Sequence, residues 1–149
     1  EYILPDAAVV PGLDGQKMSK SYGNTIEIFA HENELKKRVM SIVTDATPVE
    51  APKNPDTCNL FAIYSLFLDE AGRKELRARY LAPGLKYGEV KKELTEVVWN
   101  YFAPYRARRD ARARDPEKVH RIMKQGAEKA RSVAAHYLQA ARRAVGIDY

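Results

Sequence analysis

Apolar residues recur every three to four positions along this sequence from about residue 31 onward. That spacing puts them on one face of an α-helix, so it predicts a mainly α fold, a helical bundle, for most of the chain. The helices expected from the pattern cover roughly residues 32–44, 60–68, 70–81, 90–105 and 116–145. Residues 47–56 contain three prolines and are predicted to form a loop.

Local signals predict where several of these helices begin and end. Asp69 and Asp115 are predicted N-caps, because a carboxylate accepts hydrogen bonds from the free N–H groups of a first turn. Pro116 suits the first position of the last helix, where no N–H donor is needed. Pro104 is predicted to kink or end the long helix that contains it. Gly146 is predicted to cap the last helix at its C-terminal end.

The first ten residues follow a different pattern. Residues 2–4 and 7–10 are short apolar runs that suit buried strands, and a Pro-Asp pair separates them. Two short strands do not make a stable sheet by themselves. We therefore expect residues 1–28 to be the end of an α/β domain whose body lies upstream, and residues 29–149 to form the helical domain.

Residues 17–21 read Lys-Met-Ser-Lys-Ser, with glycines at Gly15 and Gly23 on either side. The glycines allow the segment to hinge, the lysines supply mobile positive charge, and the hydroxyl groups supply donors for phosphate oxygens. The combination suits a polyphosphate that is bound and then released. An exposed basic turn without chemistry is the alternative. It is the less favoured one, because this combination of five residues rarely occurs by chance.

Positive charge is concentrated near the end of the chain. Residues 105–145 contain twelve Lys or Arg against four Asp or Glu, a net of +8, whereas the whole chain carries +5. Such clustering favours the phosphate backbone of a nucleic acid as a partner over a merely solvated helix face. The candidate phosphate-contacting residues are Arg106, Arg108, Arg109 and Arg112.

Four aromatic residues lie in or beside this basic region: Trp99, Tyr101, Phe102 and Tyr105. Aromatic side chains can stack on unpaired RNA bases. Their three- and four-residue spacing is more typical of a helix core, and we favour that interpretation.

Some classes of site and location are disfavoured by the composition. The single cysteine, Cys58, has no second cysteine to pair with, and the three histidines are far apart in sequence, so we expect no metal site. No apolar run approaches the ~20 residues that span a bilayer, and we expect no targeting segment. A cytoplasmic location is the expectation.

The string KMSKS at residues 17–21 is the ATP-handling signature of the class I aminoacyl-tRNA synthetases, which this chain resembles. Further stretches resemble the bacterial tryptophanyl-tRNA synthetases in particular. They are residues 11–16 (PGLDGQ), 41–45 (SIVTD), 87–92 (YGEVKK) and 126–131 (GAEKAR). The resemblance covers the whole chain and implies that it is the C-terminal portion, a little under half, of such an enzyme.

In that family a Rossmann catalytic domain is joined through the KMSKS loop to a helical domain that binds the tRNA anticodon. The resemblance implies an enzyme that joins tryptophan to tRNA(Trp), using ATP with Mg²⁺ and releasing AMP and pyrophosphate. It implies catalytic roles for Lys17 and Lys20. The implied ATP-binding residues are Lys17, Met18, Ser19, Lys20 and Ser21, with the backbone of Ala8 and Val9.

The resemblance also implies a homodimer. The HIGH-type signature and the tryptophan pocket are expected upstream, so we expect residues 1–149 alone to be inactive. A tyrosyl-tRNA synthetase is the closest alternative, and a methionyl- or leucyl-type enzyme is a weaker one. A non-catalytic RNA-binding helical module that retains the loop as a remnant is an alternative of a different class, and a purely structural bundle is the least supported.

Overall fold

The computed structural model describes residues 9–147, and this part of the chain is mainly helical. Its α-helices are α1 (Glu32–Met40), α2 (Asn59–Ser65), α3 (Glu70–Leu81), α4 (Tyr87–Ala113) and α5 (Pro116–Ala144). Short 3₁₀ turns lie at Lys20–Tyr22 and Pro55–Thr57. Residues 9–147 contain no strand, so the predicted helical fold is confirmed there. Of the strands expected at residues 2–4 and 7–10, only Val9 and Val10 lie within the described residues, and these two form no strand.

The chain forms two compact units that divide between Ala103 and Pro104. The first unit contains the KMSKS segment, α1 to α3 and most of α4, and the second contains the end of α4 and all of α5. This division is a different one from the domain boundary expected at residue 28. The expected boundary lies between a catalytic domain and a helical domain, and it stays a prediction.

A hydrophobic core lies in the first unit. Helix α2 is central to it, as its nearly continuous apolar run predicts, and buries Leu60, Ile63 and Tyr64. The largest fully buried side chains of the core are Val39, Ile42, Leu60, Tyr80, Val90 and Leu94. Burial of each of the five aliphatic side chains among them stabilises the fold by roughly 1.5–3 kcal/mol. Leu13 belongs to the same core, so the segment just before the KMSKS residues is anchored to the helices.

Two predicted helix starts are confirmed. Asp69 Oδ1 accepts a hydrogen bond from Gly72 N–H at 2.8 Å at the start of α3. Asp115 Oδ1 accepts one from Lys118 N–H at 2.9 Å, and Pro116 is the first residue of α5. In both helices the cap satisfies a backbone donor that has no partner within the helix.

The predicted C-terminal cap of α5 is also confirmed. Gly146 has a φ of +73°, a left-handed conformation that favours glycine. Its N–H donates to Arg143 O at 3.2 Å, while Ile147 N–H donates to Arg142 O at 3.0 Å. This pair of hydrogen bonds is the Schellman motif, which satisfies carbonyls left open at a helix end.

Pro104 does not end α4, which continues from Tyr87 to Ala113, so an end at this proline was the wrong prediction. Proline lacks the N–H that would donate to the carbonyl of Asn100 one turn earlier. Both residues are exposed, so water can satisfy that carbonyl and the helix continues on either side.

Helix α1 ends at Met40, earlier than residue 44. Ile42 is still buried, but it lies in the segment after the helix. The next residue, Val43, donates its N–H to Leu13 O at 2.8 Å, a bond that a continuing helix would not allow. A contact with the KMSKS region thus replaces the last predicted turn.

Within residues 9–147 no helix combines the length and the apolar character needed to cross a membrane.

Candidate functional site

A tight turn precedes the two lysines of the KMSKS segment. Gly12 N–H donates to Gln16 O at 2.7 Å, and Met18 N–H donates to Val10 O at 2.9 Å. Gly15 adopts a φ of +83°, which favours glycine over other residues. The chain therefore reverses direction immediately before the segment and enters it on a defined path.

The buried side chain of Asn24 holds the backbone on both sides of this segment. Its Oδ1 accepts a hydrogen bond from Ser19 N–H at 2.8 Å. Its Nδ2 donates to Asp14 Oδ1 at 2.8 Å and to Lys17 O at 3.3 Å. Its backbone carbonyl accepts from Leu13 N–H at 2.9 Å. One asparagine, only 4% exposed, thus connects residues before, within and after the loop.

Two further observations show how closely Asn24 is fitted. A Cβ atom on Gly12 would lie 2.3 Å from Asn24 Nδ2. Any residue larger than glycine at this position would therefore displace the Asn24 side chain. The hydrogen bond from Asn24 lowers the pKa of the Asp14 carboxyl below its ordinary value, because that bond stabilises the ionised form.

Lys17 and Lys20 lie on this constrained backbone with their side chains exposed. Neither ammonium group has a hydrogen-bond or ion-pair partner within residues 9–147. Ser19 Oγ accepts from Ser21 N–H at 3.3 Å and caps the 3₁₀ turn that contains Lys20. Met18 is partly buried. The segment therefore presents two exposed cations, unpaired within the described part of the chain, from a backbone held by hydrogen bonds.

Helices α1 and α2 hold the two ends of the KMSKS loop, residues 12–23, through side chains that the sequence patterns did not identify as functional. Asn59, the first residue of α2, donates from Nδ2 to Gly12 O at 2.8 Å and to Leu13 O at 3.0 Å. Arg38 of α1 donates from Nη1 to Gly23 O at 2.9 Å. Asn59 is 46 and 47 residues away from its two partners, so no local motif predicts these contacts.

The other predicted ATP contacts are only partly described. Val9 is 54% exposed, while Ala8 lies outside the described residues. Among residues 9–147 no group of three or more His, Cys, Asp or Glu is placed to hold a metal ion.

The predicted tRNA-contacting arginines lie in the second unit, along the end of α4. Three are exposed and Arg106 is partly buried. The guanidinium of Arg108 lies 5.3 Å from the ring centroid of Tyr105. Arg109 and Arg112, one turn apart, line an open cavity of about 360 Å³. This arrangement places guanidinium groups where an anionic backbone can reach them.

The four aromatic residues near the arginines have two different environments. Trp99 and Phe102 pack against the core of the first unit, as the helical spacing indicates. Tyr101 and Tyr105 are 53% and 45% exposed. Tyr101 nevertheless makes an edge-to-face contact with Phe67, with ring centroids 5.3 Å apart. Core packing is therefore the correct interpretation for two of the four.

Comparison with known proteins identifies the family. A family model described as tRNA synthetases class I (W and Y) matches residues 2–103 of the chain. The chain belongs to the class I tRNA synthetases.

Relatives of this synthetase chain extend the match beyond those residues. It is 45% identical to the tryptophan–tRNA ligase of Rhodopirellula baltica, over 98% of this chain and 48% of that protein. It is also 45% identical to the tryptophan–tRNA ligase of Fusobacterium nucleatum, over 97% of this chain and 44% of that protein. The chain therefore spans slightly less than half the length of the curated relatives it matches.

A solved structure shares the fold of this synthetase chain. Tryptophanyl-tRNA synthetase from Campylobacter jejuni, solved with ADP and tryptophan, superposes with a TM-score of 0.83 at 46% identity. The match covers 95% of this chain and 44% of that one. The resemblance to tryptophanyl-tRNA synthetases noted from the sequence is thereby confirmed.

Proposed function

We propose that this chain is the part of a tryptophan–tRNA ligase that supplies the mobile KMSKS loop and the tRNA-binding helices. The observation that carries this function is the pair of exposed ammonium groups of Lys17 and Lys20 on a constrained turn, which have no ion-pair or hydrogen-bond partner among residues 9–147. The 45% identity to tryptophan–tRNA ligases supports tryptophan as the amino acid. The whole enzyme would join tryptophan to tRNA(Trp) with conversion of ATP to AMP and pyrophosphate.

The chemistry of amino-acid activation explains the need for two mobile cations. The tryptophan carboxylate attacks the α-phosphorus of ATP, and the bond to the β-phosphate oxygen breaks. Negative charge then accumulates on the departing pyrophosphate. Lys17 and Lys20 lower the barrier to the extent that they bind this developing charge more tightly than they bind ATP itself. A loop that closes over ATP and then opens also allows the product to leave.

The remaining residues of the segment have supporting roles in this proposal. Ser21 is exposed and donates to a phosphate oxygen, while Ser19 maintains the 3₁₀ turn. Met18 packs beneath the loop. The backbone at Ala8 and Val9 contacts the adenine ring. ATP enters as its Mg²⁺ complex, so the metal arrives with the substrate.

The tRNA partner is assigned to the second unit. We propose that Arg106, Arg108, Arg109 and Arg112 contact phosphates of tRNA(Trp). The net charge of +8 over residues 105–145 supports this role because it attracts a polyanion. The whole ligase would act as a homodimer in the cytoplasm, where translation consumes its product.

The proposed function is tested by replacing Lys20 in the full-length protein. Lys20→Ala should lower the maximal rate of tryptophan-dependent ATP–pyrophosphate exchange about 100- to 1000-fold, while the KM for tryptophan changes less than about threefold. Lys92→Ala, which removes an exposed lysine of α4, is the matched control and should leave the rate unchanged. An unchanged maximal rate for Lys20→Ala would defeat the role given to that lysine.

The same assay separates the alternatives. Exchange that depends on tyrosine instead of tryptophan would indicate a tyrosyl-tRNA synthetase. Absence of exchange in the full-length protein, together with tight and steeply salt-dependent tRNA binding, would indicate a non-catalytic RNA-binding module.

A further inference from the structure

We propose that Asn59 is a positioning residue for the KMSKS loop, through which the start of α2 sets the location of Lys17 and Lys20. This role rests on the proposed function, since the two lysines act on the pyrophosphate there. Asn59 does not touch the reacting groups. It acts through the backbone carbonyls of Gly12 and Leu13, to which its amide donates.

The amide of Asn59 is oriented by these two acceptors. Both hydrogen bonds come from Nδ2, at 2.8 and 3.0 Å, so its two N–H groups account for both. Oδ1 is buried and accepts no hydrogen bond from the described residues. A reversed amide would place Oδ1 against two carbonyl oxygens, which is repulsive. The position therefore requires a neutral side chain with two donors, and an aspartate of the same shape cannot replace it.

The carbonyls that Asn59 holds belong to the residues that organise the loop. Leu13 N–H donates to Asn24 O, and the Asn24 side chain in turn binds Ser19 N–H and Lys17 O. A continuous set of hydrogen bonds thus leads from the start of α2 to the backbone of the KMSKS segment. These hydrogen bonds join Asn59 to Leu13, Leu13 to Asn24, and Asn24 to the KMSKS segment.

Helix α1 holds the same loop at two more points. Leu13 O accepts a second hydrogen bond, from Val43 N–H, just beyond the end of α1. Arg38 of α1 donates to Gly23 O at the far end of the loop. The ends of the loop are therefore joined to two packed helices, while the lysines between them remain exposed. The loop therefore has fixed points at both ends and, through Asn24, within the KMSKS segment itself.

Fixed points matter here because transition-state stabilisation is sensitive to geometry. A displacement of about 1 Å at a catalytic group, caused by a change elsewhere, lowers the rate about 100-fold. Loss of the Asn59 amide releases two carbonyls at one end of the loop. The ammonium groups then sample more positions, and fewer of them match the departing pyrophosphate. The proposal therefore predicts a loss of rate with little change in tryptophan binding.

The experiment uses the full-length protein with Asn59→Asp and Asn59→Ala. Asp keeps the shape of the side chain but removes both donors, so a donor role requires it to be at least as harmful as Ala. Asn54→Ala is the matched control, because Asn54 Oδ1 accepts from Asp56 N–H and has no bond to the loop. Asn59→Ser, which keeps one hydroxyl donor, provides a milder variant if the others fold poorly.

Two readouts are measured on each variant: the kinetics of ATP–pyrophosphate exchange, and amide hydrogen exchange of peptides covering residues 10–24. Both Asn59→Asp and Asn59→Ala should lower kcat about 10- to 100-fold with less than about a threefold change in the KM for tryptophan. Hydrogen exchange should accelerate within residues 10–24 and stay unchanged in α3. Asn59→Ser should lie between wild type and Ala in both readouts, and Asn54→Ala should leave both unchanged.

Two results would overturn the role of Asn59. One is a kcat for Asn59→Asp equal to that of the wild type, which would mean that its donors are not needed. The other is hydrogen exchange that accelerates equally across α1 to α3, which would reduce Asn59 to a general contributor to stability. Failure of the proposed function would be recognised separately, because Lys20→Ala would then leave the rate of ATP–pyrophosphate exchange unchanged. Amide hydrogen exchange of residues 10–24 would still report on the role of Asn59 in holding the loop.

Discussion

Both units of this chain are built from α-helices, but the units differ in how much apolar side-chain surface they bury. In the first unit the apolar faces of α1 to α4 meet in a core that also includes Leu13 from the segment before the KMSKS residues. In the second unit α5 has a pronounced apolar face, yet none of its residues is buried. Large side chains on that face, such as Ile122 and Tyr137, are 47% and 70% exposed.

This difference shows that helix formation and burial are separate outcomes. Helix α5 is rich in alanine, begins at a capping aspartate and ends in a Schellman motif, so local interactions suffice to define it. Burial requires a second apolar surface in the right place, which the first unit provides for its own helices. The KMSKS loop is positioned only because it is attached to that packed unit.

The largest expected loss of stability is in the core of the first unit. Leu60→Ala should lower the free energy of unfolding by about 2–5 kcal/mol, because Leu60 is fully buried and its truncation leaves a cavity. Denaturant titration followed by circular dichroism measures this change. Leu81→Ala, at a leucine of the same unit that is 55% exposed, should cost less than about 1 kcal/mol. Equal losses would mean that the core is not where the structure places it.

A glycine in each unit provides the second prediction. Gly12→Ala should lower the free energy of unfolding by about 1–3 kcal/mol, because the new Cβ displaces Asn24 and its buried hydrogen bonds. Gly126→Ala in α5 meets nothing within 4 Å and should instead stabilise the helix by roughly 0.5–1 kcal/mol. Thermal unfolding of the two variants checks the opposite signs. A stabilising Gly12→Ala would contradict the packing around Asn24.

The third prediction concerns the cap of α5. Asp115→Ala should reduce the stability of that helix by about 0.5–2 kcal/mol, because Lys118 N–H loses its acceptor. Hydrogen exchange in the first turn of α5 measures the loss directly. Asp110→Ala, within α4, removes only a weak contact with Arg109 at 3.6 Å and should change stability by less than about 0.5 kcal/mol. No acceleration of exchange in α5 would show that its start does not depend on the cap.

The smallest effect is expected on the apolar face of α5. Ile122→Ala should change the free energy of unfolding by less than about 0.5 kcal/mol, because an exposed side chain leaves no cavity and alanine favours the helix. The measurement is the same denaturant titration. A loss of 2 kcal/mol or more, roughly the cost of truncating a buried side chain, would show that this face is covered in the protein under test.

Local sequence patterns predicted the helices and their ends better than their lengths. Asp69, Asp115 and Gly146 cap helices through hydrogen bonds to residues three positions away, so the residues that decide these caps are close together in the sequence. The end of α1 was missed because Val43 bonds to Leu13, thirty residues earlier. Pro104 does not end α4, because an exposed helix tolerates one missing hydrogen bond.

The sequence by itself determined the helical content, the caps and the lysine segment at residues 17–21, because each depends on neighbouring residues or on a short motif. Only the tertiary structure decided which apolar faces are buried and which side chains hold the loop. Asn59 and Arg38 contact loop residues that are distant from them in the sequence. The packing of α1 and α2 around Leu13 brings these side chains to the loop. Contacts of that kind depend on how helices assemble, which no local pattern specifies.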